Sequence, residues 1–157
     1  MTSTMEHCRR IDINAEQEVW LAIGVGAGLA REMGLADADR VRVETVISEM
    51  AHNLFLHGGG GTITIESVAE DHRHGLRIRA TDAGPGMADV SQALQDGFST
   101  QDSLGIGLGV TKRMMDDVAI RSHPGWGTIV TVTKWVRNGH RPVPSLENDV
   151  EVREQQQ

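Results

Sequence analysis

The sequence predicts an α/β (α+β) two-layer sandwich, in which a mixed, mainly antiparallel sheet carries helices on one face. Three observations lead there. Two segments with apolar residues at helical spacing come first. Alternating segments that pair as hairpins follow, and a glycine-rich stretch over 97–109 interrupts the middle. At 157 residues the chain has the length of one domain.

The elements follow in order. Arg9 to Ile13 reads as a short strand. Asn14 with Gln17 three residues on has the spacing of a capping box, and Gly34 is a natural stop, so a helix is expected over 15–33. A second helix starts at Asp37 or Asp39, repeats Val43, Ile47, Met50 and Leu54 at helical spacing, and ends in the glycines at 58–61. Thr62 to Ile65 alternates as a strand. A turn falls over 71–75, and Leu76, Ile78 and Ala80 alternate into Asp82 to complete a hairpin. A short helix is expected over 89–94, another over 110–117, a strand over 118–122, a turn at Pro124-Gly125 and a last strand over 128–135. From Arg137 the apolar pattern stops, and Arg141-Pro142-Val143-Pro144 leads into polar sequence. Residues 1–137 therefore read as one domain and 138–157 as a polar, disordered tail.

Composition removes several classes of function. Aromatic residues make up 3% with no Tyr, so the core must come from Val, Ile, Leu, Met and Ala, and the stacking platforms of single-strand binders are lacking. A net charge of −7 opposes a nucleic-acid or anionic-membrane partner. The one cysteine, Cys8, can close neither an internal disulfide nor a cysteine-based zinc site, which fits a reducing compartment. The first ten residues are polar, unlike a signal peptide, and the longest apolar stretch, 19–30, is interrupted by three glycines and too short to span a bilayer. A cytoplasmic protein is expected.

Gly24-Val25-Gly26-Ala27-Gly28 invites comparison with a dinucleotide loop, but the third glycine of that fingerprint would stand where Leu29 is. One continuous helix, with glycines for close packing, fits better. Glu49 and Asn53 lie four residues apart, on one face of the second helix. A carboxylate and an amide oxygen there suit a hard cation bridged to phosphates, and the carboxylate can take a proton from an attacking hydroxyl. Asp82-Ala83-Gly84-Pro85-Gly86-Met87 ends a strand in a bare backbone that a flat ligand can approach, with an acceptor-only carboxylate for an exocyclic amine such as that of adenine. Gly97-Phe98-Ser99-Thr100 and Gly105-Ile106-Gly107-Leu108-Gly109 bound a loop and open a helix whose backbone N–H groups form a phosphate cradle, although no Walker sequence is present. Lys112 and Arg113 are expected in the first turns of that helix, where the macrodipole disfavours cations unless an anion is bound. Gly127-Thr128 opens the last strand. His57, His72 and His74 have no cysteine or carboxylate cluster to complete a metal site and read as surface residues.

Taken together and in this order, the motifs resemble those of the GHKL (Bergerat) ATP-binding fold over about residues 8–136. Glu49 and Asn53 match its N box, Asp82 to Gly86 its first glycine box, Gly105 to Leu108 its second, and Gly127-Thr128 its last motif. Within that superfamily the chain resembles the small bacterial serine-protein kinases that regulate stress sigma factors. It is nearest the RsbT-type switch kinases on Ser48 to Asn53, Asp96 to Thr100, Lys112 to Asp116 and Lys134-Trp135. His52 stands where that branch usually has Arg, and Gly109 where Pro is common. The resemblance implies ATP and Mg2+ as cofactors, with Asn53 holding the metal and Glu49 catalytic. It assigns nucleotide contacts to Asn53, Asp82, Gly84, Gly86, Met87, Ser99, Thr100, Gly105, Ile106, Gly107, Leu108, Lys112 and Thr128. It implies a serine on a STAS-domain antagonist of a stressosome-type system as substrate and a downstream phosphatase as output. The sibling RsbW-type branch leaves the alternative of an anti-sigma factor that sequesters a sigma factor, with kinase activity secondary.

Overall fold

The computed structural model describes residues 8–56, 59–82, 104–123 and 127–137. The helix expected over 89–94, the turn at Pro124-Gly125 and the tail lie outside them.

Strands β1 (Cys8–Ile13), β2 (Gly61–Glu70), β3 (Arg73–Asp82), β4 (Asp117–His123) and β5 (Gly127–Trp135) form one sheet in the order β1-β2-β3-β5-β4. Every described pairing is antiparallel. Alternation along the strands sends Ile11, Ile13, Ile63, Ile65, Leu76, Ile78, Val130 and Val132 to one face, where they are buried. Helices α1 (Glu16–Met33) and α2 (Asp37–Leu56) cover that face with Val19, Ala22, Leu29, Val43, Ile47, Met50 and Leu54. The third described helix, α3 (Leu104–Met114), packs against α2 and β4.

Several local elements differ from the sequence expectation, each for a physical reason. Helix α1 is capped not by Asn14 and Gln17 but one residue later. Ala15 is the cap residue, and Glu18 Oε1 accepts from the backbone N–H of Ala15 at 2.8 Å and of Asn14 at 2.6 Å. The shift arises because β1 stays paired to Gly61 through Ile13, which carries extended backbone up to the helix. Gly34 ends α1 in the left-handed region (φ 89°), with its N–H on Arg31 O and that of Leu35 on Ala30 O. The β2–β3 turn is Asp71-His72 alone, with φ of 52° and 69°, a compact hairpin turn whose twist matches the strands. Gly75, expected in that turn, is instead a β3 residue under the Trp135 ring, where a Cβ would strike the β5 backbone.

The α1 glycines divide into two kinds. A methyl group at Gly26 would run into Ile47 Cδ1, on a side chain with no exposed surface, whereas at Gly24 and Gly28 it would meet nothing within 4 Å. Only Gly26 serves helix packing. Gly24→Ala and Gly28→Ala should each raise unfolding free energy by about 0.5–1 kcal/mol through helix propensity. Gly26→Ala should lower it, because overpacking a filled core costs about 1–3 kcal/mol. Urea denaturation of the three variants checks the order.

Candidate functional site

Three motif residues meet at one end of the sheet. In the β3–β5 ladder Asp82 stands directly opposite Thr128. Asp82 is half-buried. Thr128 is buried, its hydroxyl 2.9 Å from Ser122 Oγ of β4. The end of α2 comes to the same place through Gly61: a Cβ there would press on both Leu54 of α2 and Thr81 O of β3, and Gly60 N–H donates to Leu54 O at 2.8 Å. Asn53, next to Leu54, and Asp82, next to Thr81, are thus held at one end of the fold by a contact only glycine allows. Asn53 is half-buried and Glu49, one turn earlier, is exposed.

Between them His52 is fixed on two sides. Its Nδ1 lies 2.9 Å from Ser48 O, so that nitrogen carries the proton and donates, and its ring meets the Trp20 ring edge-on with centroids 6.5 Å apart. Nothing in the spacing of the sequence marks the Trp20–His52 contact, since the two residues belong to different helices.

Gly105, Ile106, Gly107 and Leu108 open α3, which begins at Leu104 rather than near 110. Lys112 and Arg113 consequently sit in its last turn, not its first. The macrodipole favours cations there without any anion, so the electrostatic reason for giving Lys112 a phosphate role is gone. Gly84, Gly86, Met87, Ser99 and Thr100 lie outside the described residues. Among the described residues no group of His, Cys, Asp or Glu could by itself hold a metal. His72 is exposed and His74 half-buried. His57 lies outside the described residues. No described helix is long and apolar enough to cross a membrane.

The model of the histidine kinase-like ATPase domain matches residues 13–134, a span that runs from the end of β1 to the end of β5. The chain belongs to this family. Within the family it groups with RsbT and the anti-sigma F factors. It is 41% identical over 127 residues to the serine/threonine-protein kinase RsbT of Bacillus subtilis (strain 168), covering 81% of this chain and 96% of the relative. To the anti-sigma F factor of Bacillus licheniformis it is 33% identical over 127 residues, covering 76% and 85%. The catalytic domain of the histidine kinase ThkA shares the fold at a TM-score of 0.50 and 16% identity, over 82% of this chain and 97% of that one.

In this ATPase domain, α3 is held by a buried charge cluster that the sequence did not disclose. Lys134 is a core-facing residue of β5, 3% exposed, and its Nζ donates to Met114 O at 2.9 Å, the last carbonyl of α3. The same ammonium lies 3.4 Å from Asp39 of α2 and 3.5 Å from Asp116. Arg42 pairs with Asp39 at 2.8 Å, and Arg137 reaches both carboxylates, at 3.8 and 3.1 Å. Lys134→Met should cost about 2–3 kcal/mol of stability, because it strips a donor from the buried Asp39, which keeps only half-exposed arginines, and from Asp116, which keeps Arg137 and the Trp135 N–H. Native-state hydrogen exchange should show α3 amides opening faster than those of α1.

Proposed function

We propose that this chain is an ATP- and magnesium-dependent serine/threonine-protein kinase that phosphorylates a STAS-domain antagonist and works as a cytoplasmic partner switch in a stress or sigma-factor pathway. The observation that carries the reading is the meeting of Asn53, Asp82 and Thr128 at one end of the sheet, in a chain 41% identical to a serine/threonine-protein kinase over almost all of that relative.

The residues present fit a nucleotide. Asp82 is a half-buried, acceptor-only carboxylate, which suits the exocyclic amine of adenine, and the buried Thr128 hydroxyl beside it offers a second polar contact. The Asn53 side-chain oxygen is the group that would hold the metal, and magnesium brought in with ATP would neutralise phosphate charge there. The N-terminal turns of α3 supply backbone N–H groups to the phosphates, and anchoring of that helix beside Asp39 supports this. An 11-residue helix is about 16 Å long, and the ten residues from Asp39 to Glu49 span about 15 Å of α2, so a helix anchored beside Asp39 by its last carbonyl is long enough to present its first turn near Glu49. Glu49 then orients the substrate serine and accepts its hydroxyl proton. The serine oxygen bonds to the γ-phosphorus, and the bond to the bridging oxygen of departing ADP breaks. The anti-sigma F factors among its relatives favour a second output of the same site, binding a sigma factor with phosphotransfer secondary.

Asp82→Asn should weaken ATP binding about ten- to a hundredfold, the loss of ~1.5–3 kcal/mol for a charge-assisted hydrogen bond, with the fold intact. Calorimetry showing unchanged affinity would count against the adenine assignment. Asn53→Ala should remove the magnesium dependence of nucleotide binding while sparing α2, since Ala is the better helix former. Glu49→Ala should keep ATP affinity within a few-fold and lose most phosphotransfer, general-base assistance being worth ~10²–10⁴-fold. Single-turnover transfer from labelled ATP to a STAS-domain antagonist that the wild type phosphorylates separates this from a surface role for Glu49. Capture of a sigma factor by a Glu49→Ala protein that retains ATP would favour the anti-sigma output.

A further inference from the structure

The sheet has a second face, turned away from α1 and α2. The register places Cys8, Arg10 and Asp12 of β1, Thr62, Thr64 and Glu66 of β2, Arg77, Arg79 and Thr81 of β3, Ile129, Thr131 and Thr133 of β5, and Ala119 and Arg121 of β4 side by side on it. One end is closed. Trp135 lies over Gly75, donates from Nε1 to Asp117 Oδ2 at 2.8 Å and carries the Arg73 guanidinium 3.8 Å above its ring. Near the edges the charges are matched, Arg77 to Glu70 and Arg10 to Asp12.

The centre is different. Arg79 and Arg121 flank a cleft of about 440 Å³ floored by Ala119, Ile129 and Thr131. Among the described residues neither arginine has a carboxylate partner, and Arg79 has only the Thr131 hydroxyl, at 3.4 Å. Two unneutralised guanidinium groups beside apolar surface, in a protein of net charge −7, select for an acidic occupant.

The chain itself provides one. Just past β5 the Val136 N–H still bonds His74 O, and beyond Arg137 twenty residues follow, outside the span matched by the family model. They hold Glu147, Asp149, Glu151 and Glu154 against Arg141 and Arg153. Acids at 147, 149 and 151 fall on one side of an extended chain. Glu147 and Glu151 are then about 14 Å apart, close to the about 12 Å that separates Arg79 and Arg121 across β5 and two residues along it. The ten residues from Arg137 to Glu147 reach about 33 Å, whereas the cleft lies four to six strand residues, about 14–20 Å, back from Trp135.

We propose that the acidic segment 147–154 of this chain docks on the outer face of its own sheet, with Glu147 and Glu151 paired to Arg79 and Arg121. The face opposite the nucleotide site is thereby occupied by the chain's own tail.

Cys8 makes the test direct, being the one cysteine, exposed, and on this same face. In the full chain, a nitroxide on Cys8 should broaden the amide NMR signals of 147–154. The broadening should be lost in Arg79→Glu/Arg121→Glu and in Glu147→Lys/Asp149→Lys/Glu151→Lys, and restored when the two sets are combined. The tail variant leaves the domain untouched, so a folding defect in the arginine variant does not blunt the test. Unbroadened tail signals in the wild type would overturn the proposal, as would broadening indifferent to both sets of changes. Broadening seen only when spin-labelled and isotope-labelled chains are mixed would give the face to a second copy and overturn docking within one chain. No phosphotransfer is read, so the outcome is independent of the kinase assignment.

Discussion

One buried ammonium group joins the three parts of the molecule that must agree for a site to exist. Lys134 occupies a core-facing position of β5, in step with Val130 and Val132, where an apolar side chain would be expected. Burying a lone lysine is strongly unfavourable unless charges and hydrogen bonds offset the lost water. Here Asp39 from α2, Asp116 after α3 and the Met114 carbonyl at the end of α3 surround it, and Asp39 in turn receives Arg42 and Arg137. Each element contributes a partner that cannot be satisfied elsewhere in the interior. The cluster therefore specifies position more than it adds stability: α3 can end at one place only, against the start of α2 and the middle of the last strand's partner network.

With that end fixed, the rest of the site is set by ladder register. Asp82 and Thr128 are 46 positions apart in sequence and adjacent in space because β3 and β5 pair antiparallel without a bulge over their described length. A slip of one residue would turn both side chains to the opposite face. Gly61 does the corresponding work for α2, letting the Leu54 side chain and the Thr81 carbonyl close on the same point. Sheet register and one close approach, rather than any direct bond between the motif residues, account for their assembly.

The parts of this arrangement that repeat were legible in the sequence, and the parts that depend on single contacts were not. Strand alternation at Ile63/Ile65, Leu76/Ile78 and Val130/Val132 and the helical run through Val43, Ile47, Met50 and Leu54 agree with the structure because many residues vote for each. The N-box pair and Asp82 stand out in the sequence for a different reason, as spaced polar residues in motifs whose order resembles that of the family. By contrast, α3 begins six residues before its expected start. Gly105, Gly107 and Gly109 each cost a helix about 1 kcal/mol, and the sequence reads as loop until packing of Thr111 and Met115 overrides propensity. The earlier start puts Lys112 in the last turn of α3 rather than its first. Lys134 and Asp39 were invisible for the same reason: a charged residue near a strand end or a helix start looks solvated until its partners are known, and two partners of Asp39, Lys134 and Arg137, lie more than 90 residues away in sequence.

The same glycines give α3 an uneven stability along its length. Its C-terminal half is held by buried Thr111, by Met115 immediately beyond it and by the lysine on its last carbonyl. Its first turns, which contain Gly105 and Gly107, carry the propensity cost. On propensity alone, opening free energies in such a helix fall toward its N-terminus, away from the cluster that holds its other end. On the proposed reading, a phosphate at that N-terminus would add stabilisation through the orphan N–H groups and the macrodipole. Nucleotide binding would then be coupled to the order of those turns, with glycine at one end of the helix set against a buried lysine at the other.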